Sequence, residues 1–200
     1  ALTLGEPDFS TPQYIVDACK RSLDAGQTRY TDGSGILELK EAVCEKLARE
    51  NGLHYTPAEI SVTTGVAQGM FVALLSTLNP GDEVIIPTPA FGLYESIVVA
   101  NHAKAVFLDT EPAQFQIDEE ALRACVTPAT KAIVICTPNN PTGCILNAAS
   151  LDAVARVAEQ AGIYVVCDDV YNRLVYVGGY ERFTQRHPEL RDQTLSLIHI

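Results

Sequence analysis

The sequence predicts an α/β fold: a mostly parallel sheet with helices on both faces. Three observations lead there. Short apolar runs rich in β-branched residues alternate with amphipathic helical stretches from about residue 60 onward. The strand-like runs are apolar throughout rather than alternating, as expected of strands covered on both sides. Glycine and proline clusters fall between the runs and not inside them, so the punctuation agrees with the periodicity.

In order along the chain, Thr11-Pro12 reads as a helix cap followed by proline at the first helical position. Ile15, Cys19 and Leu23 then recur at helical spacing until Gly26. Leu39, Val43 and Leu47 recur every four residues among charged neighbours and predict a second helix closing at Asn51-Gly52. Ile60 to Thr63 reads as a strand and Gln68 to Leu78 as a helix. The same rhythm continues with strand Glu83 to Ile86, helix Tyr94 to Ala100, strand Ala105 to Leu108 and helix Asp118 to Cys125. Strand Lys131 to Cys136, helix Ala149 to Gln160 and strand Ile163 to Cys167 follow. The tail Ser196 to Ile200 reads as a strand by alternation, and His199 receives no functional role.

Composition narrows the function. With 200 residues, 47% of them hydrophobic, the chain can bury a core without disulfides or structural metal. A formal net charge of −11, from 25 acidic against 14 basic residues, argues against a sequence-independent hold on nucleic acid. Small molecules are the expected partners. Six cysteines without CxxC pairs read as buried thiols in a reducing compartment, neither metal ligands nor a disulfide framework. No apolar stretch is long enough to span a bilayer, and the expected location is the cytoplasm.

In a parallel sheet, ligands gather beyond the carboxyl ends of the strands, so the residues that follow each strand are the informative ones. Thr63-Thr64-Gly65-Val66-Ala67-Gln68 runs through a glycine into a helix, where unpaired N–H groups suit a phosphate. The same residues also suit a plain βα turn. Thr137 to Gly143 holds Asn139 and Asn140 between two prolines, a stiff loop able to fix one amide, or simply a structural turn. Cys167-Asp168-Asp169-Val170-Tyr171 places acids at the end of an apolar strand. Buried unpaired they would be costly, so Asp168 is expected to meet a cation or a metal. A helix N-cap remains the alternative, for Asp169 in particular.

The three stretches, in this order and with these separations, resemble the class I/II aminotransferases of the pyridoxal-phosphate (PLP)-dependent fold type I. The resemblance runs from Leu4-Gly5-Glu6-Pro7-Asp8-Phe9 to about Thr194. It implies PLP as cofactor and amino-group transfer between an amino acid and a 2-oxo acid. By this resemblance Gly5 lies against the substrate carboxylate, and Tyr30 reaches the phosphate of a neighbouring subunit's cofactor, which implies a homodimer. Gly65, Val66 and Ala67 match the phosphate turn, although many members have Lys or Ser in place of Ala67. Phe91 matches the aromatic stacked on the cofactor ring. Asn140 and Tyr171 match the pair that shares the ring oxygen, and Asn140 also borders the substrate. Asp168 matches the carboxylate facing the ring nitrogen, and with Tyr171 it takes the catalytic role. No metal is implied.

The resemblance further divides the chain into residues 1–30, an N-terminal arm belonging to a small domain, and residues 31–200, the PLP-binding large domain. It places the lysine that bonds to the cofactor just beyond Ile200; no lysine follows Lys131 in the chain. The tail also lacks the small polar residues the family has there. Two other readings keep some of these residues: a PLP-dependent carbon–sulfur lyase, and a non-catalytic α/β nucleotide-binding domain. The second lacks GxGxxG and GxxxxGK[ST].

Overall fold

A computed structural model describes residue 5, residues 9–176 and residues 178–200. Its helices are α1 (Gln13–Asp24), α2 (Leu37–Asn51), α3 (Gly65–Thr77), α4 (Leu93–Ala100), α5 (Glu119–Ala124), α6 (Ala148–Ala161) and α7 (Phe183–Arg186). The strands are β1 (Glu83–Thr88), β2 (Lys104–Asp109), β3 (Thr130–Cys136), β4 (Tyr164–Asp168) and β5 (Thr194–Leu197). They form one sheet in the order β2-β1-β3-β4-β5, and every pair is parallel.

Period-two alternation divides the apolar strands between two cores. Ile85, Ile133, Ile135, Val165 and Cys167 face α5 and α6, packing on Leu122, Leu151, Val154 and Ala158. Val84, Ile86, Val134, Cys136 and Val166 face α3 and α4, packing on Met70, Leu74, Tyr94 and Val98. Both faces of the sheet are therefore covered. Because β1 leads outward to β2 while β3 leads to β4 and β5 on the other side, the strand order reverses between β1 and β3. A crevice at the carboxyl ends of the strands follows from that reversal.

Most element expectations hold to within a residue or two, and the departures have local causes. Ile60 to Thr63 is extended but joins no sheet; the Val62 N–H donates to the Ser34 carbonyl at 2.9 Å, so the segment's pairing is with a loop. The first helix starts one residue later than read, with Pro12 itself in the capping position, because its ψ of 136° is not helical. The third starts three residues earlier, at Gly65, whose φ of +77° lets the chain turn straight into the helix. The cysteines are all free, but only Cys136 and Cys167 are buried; Cys19 is exposed. The tail strand lies two residues earlier than expected: Thr194–Leu197 pairs with β4, and 198–200 fall outside it.

Candidate active site

Four chain segments converge at the carboxyl end of the sheet. Phe91 lies in the loop after β1, Asn140 in the loop after β3, Asp168 ends β4 with Tyr171 in the turn beyond it, and Val66 and Ala67 open α3. Together with Met70 and Tyr94 they line one open cavity of about 140 Å³. The sequence-derived candidates Val66, Ala67, Phe91, Asn140, Asp168 and Tyr171 are thus brought to a single place, with Gly65 adjoining on the α3 turn. Gly5 and Tyr30 do not line it: both are exposed, Tyr30 completely. The rest of the Leu4 to Asp8 motif lies outside the described residues.

Each wall has a local cause. Gln68 turns back on its own helix terminus, its Oε1 accepting the Thr64 N–H at 2.5 Å, and the Gly65 N–H donates to the Thr63 carbonyl. The Val66 and Ala67 N–H groups sit in the first turn, where no carbonyl four residues back is helical. In the loop after β3 the two asparagines take different duties. Asn139 holds the loop: its Oδ1 accepts from the Thr142 N–H and hydroxyl, and its Nδ2 donates to the Pro89 carbonyl. Asn140 is left facing the cavity, with Nδ2 3.4 Å from the Tyr171 hydroxyl.

The two consecutive acids separate just as clearly. Asp168 is 5% exposed; its Oδ2 accepts the Tyr94 hydroxyl at 2.6 Å and its Oδ1 the Val170 N–H at 3.3 Å. Burial pushes its carboxyl up from the usual aspartate range, and these two donors oppose the push. Among the described residues no Lys or Arg pairs with Asp168; it is Asp169 that pairs with buried Arg182 at 3.3 Å and accepts the Ser196 hydroxyl at 2.6 Å. Asp169 is raised by burial and pulled back first by Arg182, so the N-cap alternative gives way to a core ion pair. Among the described residues no His/Cys/Asp/Glu group could hold a metal. Asp168 meets only neutral donors among the described residues, and it lines the cavity.

Tyr94 is the residue that sequence reasoning missed. Its signal was present: a polar-tipped aromatic on the buried stripe Tyr94, Ile97, Val98 of an otherwise apolar helix. Arg182, thirteen positions from Asp169 and next to Glu181 in sequence, carried no signal that it would pair with Asp169.

The comparisons with known proteins follow the same outline. A family model described as aminotransferase class I and II matches residues 1–198. The aspartate/prephenate aminotransferase of Thermus thermophilus is 44% identical over 179 residues, 89% of this chain and 46% of that protein. Its counterpart in Cereibacter sphaeroides is 43% identical over 198 residues, covering 98% and 50%. Among solved structures, the Thermus thermophilus aspartate aminotransferase with maleate superposes with a TM-score of 0.92 at 41% identity, over 98% of this chain and 51% of that one. The Rhizobium meliloti aspartate aminotransferase gives 0.93 at 37% identity, over 98% and 50%. The chain spans about half the length of the curated relatives it matches. On its sequence, its sheet order and these matches, the chain belongs to the class I and II aminotransferase family.

Proposed function

We propose that this chain is the cofactor-binding part of a PLP-dependent aminotransferase that moves an amino group from an amino acid to a 2-oxo acid. The supporting observation is the cavity that gathers a helix N-terminus, an exposed aromatic face, an amide–phenol pair and a buried acid that, among the described residues, has only neutral donors. The donor set fits PLP. Asp168, surrounded by neutral donors, suits a protonated ring nitrogen; at ~4 Å and an effective dielectric of about 20 that pair gains roughly 4 kcal/mol before desolvation. Phe91, 44% exposed, can cover a ring face. Asn140 and Tyr171 can hold the ring oxygen between them, and the Val66 and Ala67 N–H groups can receive the phosphate.

When bound, PLP draws the electrons of a broken Cα–H bond into its ring. The chain's own residues would orient it: Asp168 by charge at the ring nitrogen, Asn140 and Tyr171 by hydrogen bonds at the opposite edge, Phe91 by fixing the plane. Gly5 would lie against the substrate carboxylate, beside Asn140. The division into residues 1–30 and 31–200 and the cytoplasmic setting belong to the same proposal; no described helix is long and apolar enough to cross a membrane. A homodimer does too, with Tyr30 crossing to the partner's phosphate. In support, α1 buries no residue in this chain and exposes Tyr14, Ile15 and Leu23, while Phe71, Val72 and Leu75 leave an apolar stripe on α3.

The test is a full-length protein, extended to the size of its relatives, incubated with PLP, an amino donor and 2-oxoglutarate. Aspartate, after which the relatives are named, is the first donor to try. Glutamate formation that depends on PLP supports the proposal. Ammonia and pyruvate release from a sulfur amino acid, with no transfer, would replace it by the lyase reading.

A further inference from the structure

Resting on the reading of Asp168 as the carboxylate that faces the cofactor's ring nitrogen, we propose that Tyr94 is its positioning residue, fixing Oδ2 so that the rest of the carboxylate is presented to the cavity. Tyr94 stands in the first turn of α4 and is 3% exposed. Its hydroxyl reaches across to the end of β4 and donates to Asp168 at 2.6 Å. The same ring meets Phe91 edge to face, with centroids 5.9 Å apart and planes at 88°. One side chain therefore touches both the aromatic proposed to cover the cofactor ring and the acid proposed to pair with it, and all three line the cavity.

The chemistry of the contact suits a holder rather than a proton carrier. Burial pushes the Tyr94 phenol far above its usual range, with Cys136 and Asp168 adding to the effect, so the hydroxyl stays protonated and donates to the ionised Asp168 carboxylate. A donor to the charged form offsets the burial that otherwise favours a neutral acid at Asp168. With Oδ2 occupied by Tyr94 and Oδ1 accepting only a 3.3 Å bond from the Val170 N–H, the carboxylate cannot swing away and retains accepting capacity toward the cavity. A purely packing role would need the ring but not the hydroxyl.

The experiment compares wild type, Tyr94→Phe and Asp168→Asn in the full-length protein. It reads the PLP dissociation constant and the pH profile of the bound cofactor's absorbance. Tyr94→Phe keeps the ring and removes the donor; it should weaken PLP retention about tenfold, the scale of one hydrogen bond to a charged group, and move the midpoint of the absorbance profile. If Asp168→Asn shifts both readouts while Tyr94→Phe leaves both at wild-type values, this inference fails and the Asp168 reading survives. If Asp168→Asn leaves both unchanged, the two fail together. Should Tyr94→Phe not fold, 3,5-difluorotyrosine at position 94 keeps the shape and strengthens the donor; an unmoved absorbance midpoint would then overturn the proposal.

Discussion

Arg182 donates from Nη1 to Oδ2 of Asp169 at 3.3 Å, with both side chains essentially sealed from solvent. The pair sits one residue beyond Asp168 and outside the cavity lining. Arg182 Nε has no hydrogen-bond partner among the described residues, so its placement depends strongly on Asp169. Removing one member of a buried pair leaves an uncompensated charge, which costs about 3–5 kcal/mol, whereas replacing both by apolar side chains is often tolerated. Asp169→Ala should therefore lower the unfolding free energy of the full-length protein by that amount, and Asp169→Leu with Arg182→Met should recover most of it. Urea denaturation decides. Equal stability of Asp169→Ala and wild type would show that the pair is not formed in solution.

Gly35 presents a second local dependence. Its φ is +105°, and a β-carbon built on it would lie 2.5 Å from Val62 Cγ2. Left-handed backbone strain and the steric conflict each cost on the order of 1–3 kcal/mol for a residue with a side chain. Gly35→Ala is expected to destabilise by about 2 kcal/mol or more. Adding Val62→Ala removes the 2.5 Å contact with Cγ2 but leaves the Val62 Cβ at 2.7 Å and the backbone strain, so thermal unfolding should show at most a partial recovery. Complete recovery would assign the whole cost to the clash.

A pH dependence follows from the contact between α6 and α7. Arg186 holds Asp152 through Nε to Oδ1 at 2.6 Å and Nη2 to Oδ2 at 3.0 Å, and His187 Nε2 adds a 3.0 Å contact. These bonds, Arg186's foremost, bring the carboxyl down to about 2, against burial, the next largest effect, which pushes it up. An acid with a folded-state pKa below its unfolded one stabilises the fold above the usual aspartate range and loses that contribution as pH falls through the folded value. The stability difference between wild type and Asp152→Asn should accordingly be constant at neutral pH and shrink between about pH 4 and about pH 2. A difference that stays constant down to the lower end would contradict the pairing.

The fold was legible because both of its periodicities are strong: continuous β-branched runs and four-residue apolar spacing are local properties of the chain. Ile60 to Thr63 misled for the same reason. Its residues favour an extended backbone, but only a partner makes a strand, and its partner is the Ser34 loop. The candidate site was legible where a cavity-lining residue follows a strand end, as at Asn140 and Asp168. It was not legible where two distant residues meet. Tyr94 and Asp168 are 74 positions apart, and Asp169 and Arg182 are brought together across a loop whose path the sequence does not specify. Those contacts give Asp169, and not Asp168, the protein's own cation.

Ala67 offers the most direct test of the phosphate turn. The family resemblance puts Lys or Ser at this position in many members, and here a methyl group stands in the first turn of α3, exposed and lining the cavity. Beside the Val66 and Ala67 N–H groups, a serine hydroxyl would add one donor to a bound phosphate without disturbing the core. A net hydrogen bond of about 1 kcal/mol corresponds to roughly fivefold tighter binding. Ala67→Ser should thus lower the PLP dissociation constant of the full-length protein about fivefold and leave its unfolding temperature almost unchanged. The decisive comparison uses pyridoxal, which has the ring but no phosphate: its affinity should be the same for Ala67→Ser and wild type. An equal gain for pyridoxal and PLP would place the new hydroxyl against the ring, and the phosphate would have to be sought away from the N-terminus of α3.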